Sequence, residues 1–470
     1  MDKIPVIIPS PREWNKFSGD LILSKTCQIV VDCSCAEQLA GTAQVLQEAI
    51  RAETGYPMPI IHIPEPANGD IFLTLNCSDK ELGEQGYILE IDDYIKLRAN
   101  TVIGIFYGGQ TFLQMLHKIP THVRVPRGKV RDYPIFPQRG IMLDAGRKYW
   151  GMDYLYKIMR QMTRLKLNTL HLHLSDWNAF RLQSDLHPGL SASQAYSKSD
   201  IASLHAYARQ CHITIVPEID LPAHATVISR YDPSLAFSCE VMSKVCWPGG
   251  ESGGFTLDYT SPKVRCWIKE LLDEFIPLFD GPYFHIGSDE IAEPDRPEQC
   301  PGLVDYAKAR GYPYITDVLV EWINEMNAFV KSYGKQMQIW NWWERKPHSL
   351  TPDRDILINA WVGAGDPSLF LEQGYHVINS PEDTHYITPG INLLPDNEYL
   401  YERWSPNTHP NMLGYKLCVW ADGYEDEPDE YFETYLHQPL AILAERTWNL
   451  YVPSRPLETF LALANKVILS

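Results

Sequence analysis

The 470-residue chain has no apolar stretch of the ~18 residues that a membrane-spanning helix needs. Its opening Met1-Asp2-Lys3-Ile4 meets Pro5 before the hydrophobic region of a signal peptide can form. No leader segment is visible, so the sequence reads as cytoplasmic, with a secreted protein as the alternative if a signal had been removed. Basic charge is short as well. Forty-one Lys and Arg against 59 Asp and Glu leave a net charge of −18, a field that repels phosphate backbones and anionic lipid. Nucleic acid and membrane surfaces are therefore not expected partners. Ten cysteines are too sparse for a disulfide scaffold, and no Cys-x-x-Cys or Cys/His zinc spacing occurs. No structural metal and no cofactor are expected. Cys33 with Cys35, and Cys239 with Cys246, could be bridged in an exported protein, and the preferred reading leaves them reduced. What is abundant is core-forming material: 45% apolar and 21% charged residues describe a globular chain. Nothing in the sequence indicates an oligomeric state.

The first 133 residues alternate strand-like and helix-like patterns. Gln28 to Val31 is β-branched, and Ala36 to Glu53 carries apolar residues at helical spacing before Gly55 and Pro57. Pro59 to Ile63, Asp70 to Leu75, Tyr87 to Ile91 and Tyr94 to Leu97 read as strands, and Gly108 to His117 as a helix. This predicts a small α/β sheet domain over 1–133. Around Pro126 to Pro137 the composition turns to Pro, Arg, Lys and Asp, as expected of an inter-domain connection.

From 134 to 470 eight short apolar runs recur, separated by longer, helix-compatible segments. They are Gly140 to Leu143, Thr169 to Leu174, Ile213 to Pro217, Tyr283 to Ile286, Met337 to Trp340, Ile356 to Ala360, Tyr375 to Asn379 and Gly414 to Trp420. Eight buried strands alternating with helices predict a (β/α)8 barrel, whose reactive groups collect at the strands' carboxyl ends. The residues there are Asp144, Ser175 with Asp176, Glu218 with Asp220, Asp289 with Glu290, Trp340, Trp361, Ser380, and Trp420 with Asp422. Asp289 and Glu290 are adjacent. Two carboxylates forced together in a partly dry pocket push one proton affinity up, which suits proton donation near neutral pH.

Several segments together resemble glycoside hydrolase family 20, the β-N-acetylhexosaminidases. His285-Ile-Gly-Ser-Asp289-Glu290 is similar to the family's His-x-Gly-Gly-Asp-Glu, and Arg139-Gly140 with Leu143-Asp144 and Arg147 to its Arg-Gly-x-x-x-Asp-x-x-Arg. Asn168, His171, His173, Ser175 and Asp176 resemble its second strand. Val216 to His224 resembles its Pro-Glu-Ile-Asp-x-Pro-Gly-His, with Ala223 replacing the glycine. Leu257-Asp258 and Ala444-Glu445-Arg446-x-Trp448 add further matches.

The resemblance implies a retaining, exo-acting enzyme in which the substrate's own 2-acetamido oxygen attacks the anomeric carbon, so that no enzyme nucleophile is needed. Its substrates would be glycans or glycoconjugates ending in N-acetylglucosamine or N-acetylgalactosamine, with a sulfated or disaccharide glycone as the alternative. By it, Glu290 is the general acid and base, Asp289 orients the acetamide N–H, and Tyr386 hydrogen-bonds the acetamide oxygen. It makes Arg139 the grip on the sugar 3- and 4-hydroxyls, an ion pair with Asp144 being the competing role. Asp176 and His224 would tune the acid, and Trp340, Trp361 and Trp420 would wall the pocket. Three positions depart from the family: Trp177-Asn178-Ala179-Phe180 after Asp176, Thr388 for an aspartate, and Asp422 for a longer glutamate. The last two fall where the sugar's 4- and 6-hydroxyls would be read.

Two rival readings remain. His171 and His173 point the same way from a strand, as in a metal-dependent amidohydrolase, but that fold needs its His-x-His on the first strand and further histidines or a lysine at middle strands. A non-catalytic sugar-binding barrel would keep the tryptophans without keeping Glu290, Asp289 and Tyr386 together.

Overall fold

A computed structural model describes residues 7–63, 65–244, 255–361, 366–450 and 455–469. Cys246, one of the cysteines weighed above, lies outside them. Eight strands form the first sheet: β1 (Glu13–Leu23), β2 (Ile29–Val31), β3 (Ile60–Ile61), β4 (Ile71–Thr74), β5 (Tyr87–Ile91), β6 (Ile95–Ala99), β7 (His117–Lys118) and β8 (Val123–Asp132). They run in the order β1-β8-β5-β6-β4-β2-β3, with β7 on β8. The helices Ala36–Thr54 and Val102–Gln114 pack on this sheet and share its core.

Two readings of this region are corrected. The stretch taken as a connection is mostly β8, paired with β1 and β5. Val123 and Val125, and after a change of phase around Pro126 also Val130, turn into the core, and Pro126 is tolerated because its partner Asp20 borders the register shift in β1. The second helix begins at Val102, where the Thr101 hydroxyl accepts the Gly104 N–H. Its glycines mark close packing instead of a break: a Cβ on Gly104 would collide with the Gly86 carbonyl.

The remainder is a (β/α)8 barrel. Its strands are β9 (Gln138–Asp144), β10 (Thr169–His173), β11 (Thr214–Leu221), β12 (Tyr283–Gly287), β13 (Gln336–Trp340), β14 (Leu357–Ala360), β15 (His376–Asn379) and, after the two-residue β16 (Tyr386–Ile387), β17 (Met412–Val419). Each pairs in parallel with the next, and β17 closes onto both β15 and β9. All eight apolar runs are strands. Buried on both faces, such strands lack the polar alternation of a half-exposed sheet.

The interior of this barrel is polar. Lys416 of β17 donates to His171 Nδ1 (2.7 Å) and to Asn359 Oδ1 (2.5 Å), and Asn359 in turn donates to Gln338 Oε1 (3.0 Å). Cys239 is joined to Cys300 across a Cα separation of 5.3 Å, while Cys33 and Cys35 are free. The reduced reading holds for Cys33 and Cys35 and is corrected for Cys239, as is its pairing with Cys246: the loop after β11 meets the start of the helix Pro301–Arg310, a proximity that spacing in sequence does not reveal.

Candidate active site

The carboxyl ends of β10, β11 and β12 bring the acids together. Gly287 closes β12 at φ +71°, and a Cβ there would collide with the Asp220 carboxylate. Ser288, Glu290 and His224 also hold positive φ values of 74°, 50° and 53°. Backbone strain of this kind, of order 1–3 kcal/mol per residue, persists only where surrounding packing over-determines it, and it concentrates at functional sites.

His224 organises the centre. Its Nε2 stands 3.2 Å from Glu290 Oε2, 3.9 Å from Asp289 Oδ2 and 4.0 Å from Asp220 Oδ2, while its Nδ1 is 3.0 Å from Asp176 Oδ1. Asp176 is buried and also meets Arg147 Nη1 at 2.8 Å and His173 Nε2 at 2.9 Å. Burial would raise the Asp176 pKa, but Arg147 and His224 outweigh it and hold the carboxylate well below its ordinary range. Against burial, Asp176 and Asp220 push His224 well above an ordinary imidazole. Asp289 is pushed up to about 7, first by burial and then by Glu290 and Glu218, against the opposing His224.

A cavity of about 600 Å³ opens over this cluster. Asp289, Glu290 and His224 line one part, and Trp361, Tyr386 and Trp420 supply aromatic surface. Tyr386 and Trp361 stack at 6.0 Å and 5°. Burial raises the Tyr386 pKa well above 10, so the phenol remains a proton donor. Arg147 and Asp422 line the cavity together, Nε to Oδ1 3.3 Å, and the guanidinium lies 5.2 Å from the Trp420 ring. Thr388, Trp177, Glu382 and Glu425 complete the polar lining. Asp289 Oδ1, Thr388 Oγ1 and Trp361 Nε1 are buried without a hydrogen-bond partner among the described residues. Such orphaned groups at a cavity wall are suited to a polar ligand.

Two of the expected site residues stand elsewhere. Arg139 starts β9, at the opposite end of the barrel, where it is fully buried and donates to the carbonyls of Phe136 (2.6 Å) and Lys166 (2.6 and 3.0 Å). It cannot touch a ligand in the cavity, and its predicted partner Asp144 pairs with Arg147 at 3.0 Å instead. Trp340 lies one layer beneath the wall: its indole N–H donates to Glu218 Oε1 (2.7 Å), and its ring sits 6.4 Å from Trp361 and 6.2 Å from Trp420. Asp289, Glu290, Tyr386, His224, Trp361, Trp420 and Asp422 line the cavity, and Asp176 lies behind His224.

Sequence reasoning passed over Arg147, although its motif contains it. The rule that barrel chemistry sits at carboxyl ends separates the two arginines, since Arg147 follows β9 and Arg139 begins it. Glu218 stood among the strand-end residues without a role; it gathers Trp340, His171 (3.0 Å), His173 (2.7 Å) and His285 (3.0 Å). These histidines belong to a buried hydrogen-bonded network with Lys416 among them, a poor setting for the cation of an amidohydrolase.

Fold and site define a (β/α)8 barrel with adjacent carboxylates under an aromatic-walled cleft. Residues 136–450 match the model of the glycosyl hydrolase family 20 catalytic domain, and residues 5–133 that of the family's domain 2. The chain belongs to glycosyl hydrolase family 20. It is 26% identical over 95% of its length to a β-hexosaminidase of Porphyromonas gingivalis, and 25% identical over 97% to a lacto-N-biosidase of Bifidobacterium bifidum. It spans 61% and 40% of those two proteins. Among solved structures, an exo β-N-acetylglucosaminidase of Vibrio harveyi in complex with N-acetylglucosamine superposes with a TM-score of 0.85 at 19% identity, covering 99% of this chain and 77% of that one.

Proposed function

We propose that the protein is a retaining, exo-acting β-N-acetylhexosaminidase that hydrolyses terminal N-acetylhexosamine from glycans through substrate-assisted catalysis. The observation that carries this reading is that Asp289 and Glu290 both abut one imidazole, His224, at 3.9 and 3.2 Å. Carboxylates so placed do not flank a sugar on opposite faces, and the substrate's acetamide oxygen supplies the missing nucleophile. Glu290 gives its proton to the departing oxygen as the acetamide oxygen closes on the anomeric carbon, and it then deprotonates the incoming water. Asp289, with an unpartnered Oδ1, accepts the acetamide N–H and offsets the charge of the oxazolinium. The Tyr386 hydroxyl donates to the acetamide oxygen and aligns its attack. Arg147 and Asp422 bind ring hydroxyls over the Trp361 and Trp420 faces. Relatives named β-hexosaminidase support the substrate class.

The test compares an aryl N-acetylglucosaminide with the corresponding aryl glucoside and follows the anomeric product by NMR. The glucoside is expected to be inert and the product retained. Comparable turnover of both, or an inverted product, would overturn the reading.

A further inference from the structure

Behind the contact between His224 and Glu290 the hydrogen bonding continues into the barrel. Asp176 receives His224 Nδ1 on Oδ1 (3.0 Å) and His173 Nε2 on Oδ2 (2.9 Å). The other nitrogen of His173, Nδ1, lies 2.7 Å from Glu218 Oε2. Glu218, His173 and Asp176 are fully buried. A ring nitrogen that hydrogen-bonds an ionised carboxylate must carry a proton, and a ring bonded on both nitrogens to ionised carboxylates must carry two. His173, between Glu218 and Asp176, and His224, between Asp176 and Glu290, are the rings so placed. His171 is different: its Nδ1 accepts from the Lys416 ammonium, which keeps that ring neutral.

We propose that Glu218 and His173 are positioning residues for proton transfer at Glu290. They form the inner half of a ladder of alternating charge, Glu218 negative, His173 positive, Asp176 negative, His224 positive, that holds a doubly protonated imidazole against Glu290 where the proton is transferred. This rests on Glu290 as the proton donor. Against burial, Glu218 and Asp176 push His173 well above an ordinary imidazole, and the surrounding imidazoles hold Glu218 low.

Other charged groups face the ladder. Arg147 meets Asp176 and is shared with Asp144 and Asp422. Asp220 and Asp289 face His224 at 4.0 and 3.9 Å. His171 and His285 face Glu218 at 3.0 Å each, with Lys416 beyond His171, and Glu382, whose pKa is raised by burial first and then, against Arg345, by Asp383 and Glu290, stands beyond Glu290. Asp220 also comes within 4.8 Å of His173 and Glu218, and Asp144 within 4.8 Å of His173 and Asp176.

The ladder makes two opposite predictions. Glu218→Gln removes a negative charge from the ladder, so the alkaline limb of kcat/KM moves to lower pH. His173→Gln removes a positive charge, and the limb moves to higher pH. Each shift is expected to be about half to one pH unit for a unit charge acting over roughly 10 Å. The double variant returns toward the parent. The pH profile is measured on an N-acetylglucosaminide with a poor leaving group, where protonation limits the rate.

Loss of activity with unmoved limbs, or both limbs moving the same way, would mean a packing role and would overturn the proposal. A second readout does not use turnover: ¹⁵N-histidine NMR of the intact protein should show His173 and His224 protonated on both nitrogens at pH 8. Neutral rings would also overturn it. If Glu218→Gln fails to fold, His173→Gln and the NMR spectrum decide alone. Full turnover of the poor-leaving-group substrate by Glu290→Gln would remove the underlying acid assignment while leaving the NMR result intact.

Discussion

Arg147 Nε lies 3.3 Å from Asp422 Oδ1. One guanidinium, also bonded to Asp144 and Asp176, thereby ties the last barrel strand to the first two and presents its edge to the cavity. Arg147→Gln should raise KM for the glycone by about 10- to 100-fold, the loss of one or two charge-assisted hydrogen bonds to hydroxyls. Arg139→Gln should act differently. Buried beside the leading domain with two carbonyls to satisfy, it should cost about 1–3 kcal/mol of stability while leaving KM near the parent value. Steady-state kinetics and thermal melts of the two variants check this, and a KM effect at Arg139 would contradict its placement.

Leaving-group dependence should separate the adjacent acids. Glu290→Gln should lose most turnover on substrates with poorly acidic leaving groups and far less on activated aryl ones, whose departing oxygen needs little protonation. Asp289→Asn should harm both classes, because it weakens the acceptor for the acetamide N–H before any bond breaks. Near-parental rates of Asp289→Asn on both substrates would show that its carboxylate does not orient the acetamide.

Asp289 should also cost stability in a pH-dependent way. Burial and its acidic neighbours push its pKa from 3.8 to about 7. A carboxyl raised on folding stabilises the fold fully below its unfolded value, and that contribution is lost as pH rises through the folded value. Asp289→Asn, which never ionises, should therefore melt several degrees above the parent at pH 8, with the gap closing between about pH 7 and pH 4. A gap that does not change with pH would mean that Asp289 does not titrate in this window.

The barrel strands were legible because each is buried on both faces and ends abruptly in a polar or aromatic residue, as Leu172-His173 does before Ser175-Asp176. The β1–β8 ribbon was not, since its alternation is interrupted by a register shift and by Pro126, a residue that reads as a connection. The acidic pair and its flanking strands were legible as local motifs. Which arginine faces the cavity depends on which end of β9 each occupies, and motif spacing alone does not state that. Trp340 ends a strand like Trp420, but its indole N–H is drawn down to Glu218, 122 residues earlier. The Cys239 partner depends on how two long loops fold toward each other.

Specificity at the cavity wall that holds Thr388 and Asp422 provides the last test. Thr388 is 1% exposed and lines the cavity, and its Oγ1 lacks a partner among the described residues. A hydroxyl there gives one weak hydrogen bond where the family aspartate would give a charged one, and the shorter Asp422 is partly occupied by Arg147. Each charge-assisted bond absent from this wall weakens discrimination among sugars by about 1.5–3 kcal/mol. N-acetylgalactosaminides, or glycones substituted at O6, should therefore be turned over at least comparably with unsubstituted N-acetylglucosaminides. Thr388→Asp should restore a preference of about tenfold or more for the unsubstituted gluco sugar. Comparing kcat/KM across an aryl N-acetylglucosaminide, N-acetylgalactosaminide and 6-sulfated panel, for the parent and Thr388→Asp, decides it. A strong gluco preference in the parent, unchanged by the substitution, would place the determinant elsewhere in the cavity.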